Sequence, residues 1–167
     1  MSETSDQEFE LFAAYKISIE YPSGWEIQIK ALKRDQGVVS FKSKNEECVC
    51  TLTWGPLKGV QKKFSDPEEQ AQSVIDGFRE KSGIKDFALL EKRRLTINGH
   101  EAAMLRVKAK LKLGSLLSRT WLSSNIQAFY LYCDETERYL IVYALSPPQE
   151  DDYLNIFSHM IQSLKCH

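Results

Sequence analysis

The sequence contains few of the residues on which common catalytic and metal sites depend. Its 167 residues include 3 histidines and 4 cysteines. None of the histidines lies in a recognisable Ser/His/Asp or Cys/His pattern, and neither G-x-x-x-x-G-K-S/T nor G-x-G-x-x-G occurs. Cys48 and Cys50 form the one close cysteine pair, without the second pair or histidine cluster of a structural zinc site. The sequence alone therefore predicts a non-enzymatic protein with no catalytic residue, no cofactor and no metal site.

The chain also lacks a long apolar run and an excess of charge of one sign. The longest uncharged stretch, Thr120–Cys133, contains polar residues and is too short to span a bilayer. The 22 Lys and Arg residues balance 23 Asp and Glu residues, and a net charge of −1 favours neither nucleic acid nor a membrane surface. Residues 1–8 are polar and acidic, unlike a secretory signal. We therefore expect a cytoplasmic protein without a membrane span, with its cysteines reduced.

Apolar and polar residues alternate over much of the chain, which indicates β-strands. The pattern covers 15–21, 25–29, 38–41, 48–54, 89–97, 103–113, 126–133 and 139–145. Asn98-Gly99 between two of these segments is a strong hairpin signal, because both residues tolerate positive φ. Neighbouring strands joined by short turns are expected to pair antiparallel.

Two segments have the apolar spacing of helices. The first runs from about 67 to 82, where Asp66 is the predicted N-cap, Pro67 the first helical residue and Glu69 the partner in a capping box. The second covers roughly 150–164. Residues 1–14 are expected to form a short helix or a loose arm, and residues 15–167 a single domain. The element order predicts an α+β fold with helices packed on an antiparallel sheet.

Two short motifs resemble those of the PsbP-like family. The strand and turn ending in Tyr21-Pro22-Ser23-Gly24-Trp25 resemble the family's opening "YPxGW" element, and the turn at 98–102 resembles its "NGxxA" hairpin. The element order of residues 15–164 is similar as well. The resemblance implies an antiparallel sheet of about six strands flanked by helices. The family includes extrinsic subunits of photosystem II and a Ran-binding nuclear transport factor, so it implies protein binding rather than catalysis.

Basic residues are concentrated in residues 79–119, which hold eleven Lys and Arg against four Asp and Glu. Four of them occupy alternate positions of one predicted strand: Arg106, Lys108, Lys110 and Lys112. Alternate positions of a strand share a face, so these four cations lie on one side of the sheet. At about 3.3 Å per residue, they extend over about 20 Å. Arg93 and Arg94 lie on the predicted partner strand. Such a stripe is typical of a docking surface for an acidic partner, or of a solvated face partly neutralised by Glu91, Glu101 or the acidic termini.

A second feature is a cluster of apolar residues around Gly114-Ser115, in a predicted loop at 114–122. Its members are Leu111, Leu113, Leu116, Leu117, Trp121 and Leu122. We expect a loop this apolar to be buried, to cover a cavity or to contact another chain. Leu117 and Trp121 are therefore candidate partner-binding residues, with Trp121 as the anchor of an interface or of a homodimer contact.

The sequence favours a protein-binding or scaffold module that docks an acidic protein through the basic strand face, the loop at 114–122, or both. Nucleic acid is a weaker partner, because aromatic residues do not alternate with the basic ones. The alternative is a carrier or sensor of small apolar ligands, with a pocket between sheet and helix lined by Trp54, Trp121 and tyrosines.

Overall fold

The computed structural model describes residues 6–113, 120–148 and 152–167. In chain order the elements are β1 (Phe9–Ala14), β2 (Ile17–Pro22), β3 (Glu26–Leu32), β4 (Gly37–Lys42), β5 (Val49–Pro56), α1 (Leu57–Gln61), α2 (Pro67–Glu80), β6 (Ile84–Ile97), β7 (His100–Leu113), β8 (Thr120–Cys133), β9 (Arg138–Ser146) and α3 (Asp152–Ser163). Seven strands form an antiparallel sheet in the order β3-β4-β5-β9-β8-β7-β6, and β1 and β2 form a separate hairpin. The predicted α+β class with an antiparallel sheet is confirmed.

The large sheet has two faces with different covers. One face, here called the core face, packs against the β1–β2 hairpin and α3, and its side chains form the main core. Trp54, Phe41 and Leu52 are fully buried there. The opposite face, here called the α2 face, packs against Ala71 and Ile75 of α2. The alternation predicted for β5 is therefore correct, since Cys50, Leu52 and Trp54 all lie on the core face.

The prediction of a short helix or loose arm over residues 1–14 is wrong for those of them that the structure describes. Phe9–Ala14 is a strand, paired antiparallel with β2 from Phe9↔Pro22 to Ala14↔Ile17. The two-residue turn consists of Tyr15 and Lys16, with φ of 52° and 69°. Neither residue is the glycine or asparagine that usually marks such a turn, so the sequence carried no hairpin signal. Phe12 packs in the main core, which makes β1 part of the domain.

The sheet also extends further than the sequence predicted. Each of β6, β7 and β8 has 14 residues. Residues 120–122, expected in a loop, belong to β8, where Trp121 pairs with Lys112. The other part of that predicted loop, 114–119, lies outside the described residues. The edge strand β6 shifts register twice, between Lys85 and Ala88 and between Leu89 and Glu91, and such bulges hinder pairing with another sheet edge.

Helix α2 begins at Pro67, as the sequence predicted, whereas α1 was not predicted and the expected start of α3 at residue 150 lies outside the described residues. The carboxylate of Asp66 accepts a hydrogen bond from the Glu69 backbone N–H at 2.8 Å, while Glu69 accepts one from the Ser65 N–H at 2.7 Å. Together these bonds satisfy two backbone donors at the start of α2. No helix in the described part of the chain is long and apolar enough to cross a membrane.

The packing of the main core can be tested by a substitution at Gly37. It lies opposite Trp54, and a Cβ at this position would lie 2.0 Å from Cζ2 of the indole. The ring has little freedom to move, because it is buried and its Nε1 donates to the Lys33 carbonyl at 2.9 Å. We expect Gly37→Ala to lower the free energy of unfolding by about 1–3 kcal/mol, measured by urea denaturation.

The matched control is Gly59→Ala in α1, where no described atom lies within 4 Å of the added Cβ. Alanine is the better helix former, so this variant should be as stable as the wild type or slightly more stable. Equal stability of the two variants would contradict the packing described for Trp54.

Candidate functional site

Beyond the main core, the core face of β7 becomes basic. Ala102 and Met104 are buried, Arg106 is half-buried, and Lys108 and Lys112 are exposed. Cross-strand partners share a face, so Lys85, opposite Lys110, and Arg93, opposite Met104, join the same surface. The basic patch is defined here as these six cations: Lys85, Arg93, Arg106, Lys108, Lys110 and Lys112. The structure thus brings together five of the six predicted cations and adds Lys85.

Lys85 was missed because the predicted strand began only at residue 89. The observed β6 starts at Ile84, but its two bulges interrupt the alternation by which the strand could have been recognised.

Arg94 is not part of the basic patch. Successive residues of a strand point to opposite faces, and Arg94 lies on the α2 face, opposite Ala103. Its guanidinium forms an ion pair with Glu68 of α2 and lies 3.8 Å from the Glu101 carboxylate. The contact with Glu68 links β6 to α2, and both partners of Arg94 are carboxylates of this chain.

Carboxylates neutralise only part of the basic patch. Lys110 Nζ lies 3.1 Å from Asp86, and Arg93 Nε lies 3.3 Å from Glu91. The other four members have no ion pair within the described residues: Lys85, Arg106, Lys108 and Lys112. Among the described residues, the partial self-neutralisation that the sequence allowed for therefore leaves four of the six cations without an ion pair.

A row of polar side chains borders these cations on β8 and β9. Arg106 lies opposite Gln127, and Asn125 lies opposite Ser146. Each of these four residues has a buried side-chain atom without a hydrogen-bond partner among the described residues: Arg106 Nε, Gln127 Oε1, Asn125 Oδ1 and Ser146 Oγ. Buried polar atoms without partners are rare in native folds, so ordered water or a bound group would complete the hydrogen bonds of this row.

Trp121 lies at the end of the basic patch. Its side chain is half-buried, and Lys85 Nζ lies 4.2 Å from the ring centroid, a cation–π contact. The other apolar candidate, Leu117, lies outside the described residues. Leu122 points to the α2 face and is 50% exposed, so the predicted apolar cluster is divided between the two faces.

The α2 face contains an apolar cleft of about 390 Å³ between α2 and the sheet. Its walls are Val74 and Phe78 of α2 and, from the sheet, Leu105, Val107, Leu111, Ile126, Ala128, Tyr130, Ile141, Tyr143 and Leu145. Burial raises the pKa of Tyr130 to about 12. Lys81 lies at the end of α2 and supplies the cleft's cation. The expected pocket thus exists, but not with the predicted tryptophans, because Trp54 and Trp121 belong to the core face.

A third site joins residues that are distant in the sequence. His100, Cys133, Cys166 and His167 place four donor atoms within 4.8 Å of one another at the other end of the β7–β8 hairpin. No disulfide links these cysteines, and burial raises the pKa of the Cys166 thiol to about 12. The sequence predicted no metal site, because the four ligands come from three separate segments of the chain. The pairing of β7 with β8, which begins at Ala102↔Leu131, brings the two strand ends that carry His100 and Cys133 together, and no local spacing in the sequence indicates this pairing.

Arg138 holds the backbone around this cluster. It is only 4% exposed, and its guanidinium donates to the carbonyls of Tyr15 at 2.7 Å, Arg34 at 3.2 Å and Cys166 at 3.4 Å. Burial lowers its pKa. Lys165 forms two backbone hydrogen bonds with Ser18, at 2.9 and 3.0 Å. Together these contacts fix the residues after α3 against the sheet.

The arrangement of strands and helices resembles a solved structure over nearly its full length. The solution structure of cyanobacterial PsbP (CyanoP) from Synechocystis sp. PCC 6803 matches with a TM-score of 0.60, covering 98% of this chain and 95% of that chain. The chain has a PsbP-like fold. The resemblance read from the two short motifs is confirmed at the level of the fold.

Only the fold follows from this comparison, because sequence identity with the cyanobacterial protein is 10%. No protein-family model and no curated protein sequence matches the chain. Within the PsbP-like fold, the two motifs have structural roles. Gly24 takes a φ of 84° in the turn between β2 and β3, and Gly99 a φ of 79° in the turn between β6 and β7.

Proposed function

We propose that this chain is a non-catalytic, cytoplasmic docking module that binds an extended acidic segment of another protein through the basic patch. The observation that carries the proposal is that four patch cations on one continuous face of β6 and β7 have no ion pair among the described residues. An acidic partner would supply the missing carboxylates, and electrostatic complementarity of this kind provides orientation and fast association.

The spacing of the cations favours an extended partner. Lys108, Lys110 and Lys112 lie on alternate positions of a strand, so their side chains repeat at about 6.6 Å. An extended segment with an acidic residue at every second position has the same repeat. The backbone N–H and C=O groups of such a segment would also form hydrogen bonds with the polar row on β8 and β9, after side chains such as Gln127 turn outward. A nucleic acid is a weaker candidate partner, because its bases need exposed aromatic rings on which to stack. The aromatic neighbour of the patch, Trp121, is already covered by Lys85.

The test compares Lys108/Lys112→Glu with the wild type, using fluorescence anisotropy of a labelled peptide with alternating glutamates. Both lysines are exposed and have no ion pair among the described residues, so the fold should be retained. We expect affinity to fall about tenfold or more, because each exposed ion pair contributes up to about 1 kcal/mol and 1.4 kcal/mol is tenfold. The wild-type affinity should also weaken as salt rises.

The matched control is Lys62/Lys63→Glu, which changes the net charge equally at exposed positions after α1. This variant should bind like the wild type. Three results would reject the proposal: an equal loss in the control, tighter binding of a single-stranded RNA than of the peptide, or a wild-type homodimer that Lys108/Lys112→Glu dissociates in sedimentation experiments.

The apolar cleft supports a second candidate function, the binding of a small ligand with an apolar tail and an anionic head. A volume of about 390 Å³ is in the range of small-ligand sites, and its walls are almost wholly apolar. Lys81 at the rim provides a partner for an anionic group.

Laurate should therefore raise the melting temperature, whereas dodecyltrimethylammonium should not. At a ligand concentration of 100 times Kd we expect about 5–10 °C, because this concentration stabilises the folded state by about 2.7 kcal/mol. Val74→Trp, which fills the cleft, should abolish the shift, and Ser73→Trp on the exposed side of α2 should retain it. A shift that survives in Val74→Trp would exclude the cleft as the binding site.

A further inference from the structure

We propose that His100, Cys133, Cys166 and His167 form a mononuclear zinc site with a structural role. Each residue contributes one ligand atom: His100 Nε2, Cys133 Sγ, Cys166 Sγ and His167 Nδ1. Cys133 and Cys166 are buried, His100 is half-buried and His167 is exposed. Two thiolates and two neutral imidazoles give a complex of zero net charge with Zn²⁺, which suits a largely buried position.

Four of the six distances between the donor atoms are close to the edges of a tetrahedron around one ion. Zn–S bonds of about 2.3 Å and Zn–N bonds of about 2.0–2.1 Å give edges of about 3.3–3.8 Å. The two imidazole nitrogens are 3.2 Å apart. Cys133 Sγ lies 3.8 Å from each of them, and Cys166 Sγ lies 3.3 Å from His167 Nδ1. The remaining two pairs lie within 4.8 Å.

The surrounding residues orient the ligands as they do in zinc sites. The second ring nitrogen of His167, Nε2, lies 3.3 Å from the Glu135 carboxylate. A metal-bound histidine usually donates its other N–H to such an acceptor. Thr136 Oγ1 donates to Cys133 Sγ at 3.1 Å, and Asn98 Nδ2 donates to Cys166 Sγ at 3.6 Å. Both sulfurs therefore have a hydrogen-bonding neighbour outside the ligand set, an arrangement that orients ligands in metal sites.

The donor set selects zinc with a structural role. Two sulfurs and two imidazoles in tetrahedral arrangement are typical of Zn²⁺, whereas Mg²⁺ and Ca²⁺ prefer oxygen. Four protein ligands leave no open position for a substrate, so the site is closed. Zinc here would tie Cys166 and His167 to the start of β7 and the end of β8. Its binding energy would add directly to the stability of the fold.

The experiment measures zinc per chain by native mass spectrometry, on protein purified under reducing conditions and supplied with one equivalent of zinc. We expect one zinc in the wild type and in Cys50→Ala, a control that removes a buried cysteine of β5. Cys166→Ser and His167→Gln should lose the metal. His167 is exposed, so His167→Gln should remain folded even if Cys166→Ser does not.

Two further measurements separate metal ligation from packing. In competition with a chromophoric chelator, Glu135→Gln should bind zinc 10- to 100-fold more weakly than the wild type. Cobalt(II) in place of zinc should give the visible spectrum of tetrahedral thiolate coordination. A wild type without zinc, unchanged zinc content in both ligand variants, or a Cys133–Cys166 disulfide in the reduced preparation would overturn the proposal.

Discussion

A sheet of seven strands has two large faces, and the described elements cover only part of each. The β1–β2 hairpin and α3 cover the core face over β3, β4, β5 and β9, while α2 covers the other face near the start of β7. The 14-residue strands β6, β7 and β8 extend beyond both covers. Side chains on that extension either face solvent, as Lys108 and Lys112 do, or pack in a small apolar cluster of Val107, Ala109 and Ile126. The period of two along a strand determines the face on which each side chain lies.

This constraint accounts for both surface sites. On β7 the even positions change from Ala102 and Met104 to a series of cations where the cover ends. The odd positions remain apolar, with Leu105, Val107 and Leu111, because α2 still shields part of them and leaves a cleft. One strand thus carries a charged surface and an apolar one. The cluster of His100, Cys133, Cys166 and His167 lies at the other end of the same hairpin, where the residues after α3 return to the sheet and Arg138 anchors them.

The sequence was sufficient wherever local chemistry determines the structure. The cap at Asp66, the alternation of β5 and the Asn98-Gly99 turn each depend on neighbours in the chain, and each was predicted correctly. Features without such a local signal were missed. The β1 strand needs a turn without glycine, and the cluster needs Cys166 and His167 brought to His100 and Cys133. Arg138 is a basic residue that composition places on the surface, yet three backbone carbonyls from separate segments surround it.

The central functional claim is that the basic patch, and not the overall charge, recognises an acidic partner. The most direct measurement is an NMR titration with the alternating glutamate peptide. The protein carries isotope-labelled methyl groups attached to its lysine amines, so that each lysine gives its own signal. If the basic patch recognises the partner, the signals of Lys85, Lys108 and Lys112 shift first and saturate together. The signals of Lys58, Lys62 and Lys63 near α1 then change little. Shifts distributed evenly over all exposed lysines, or confined to α1, would contradict it.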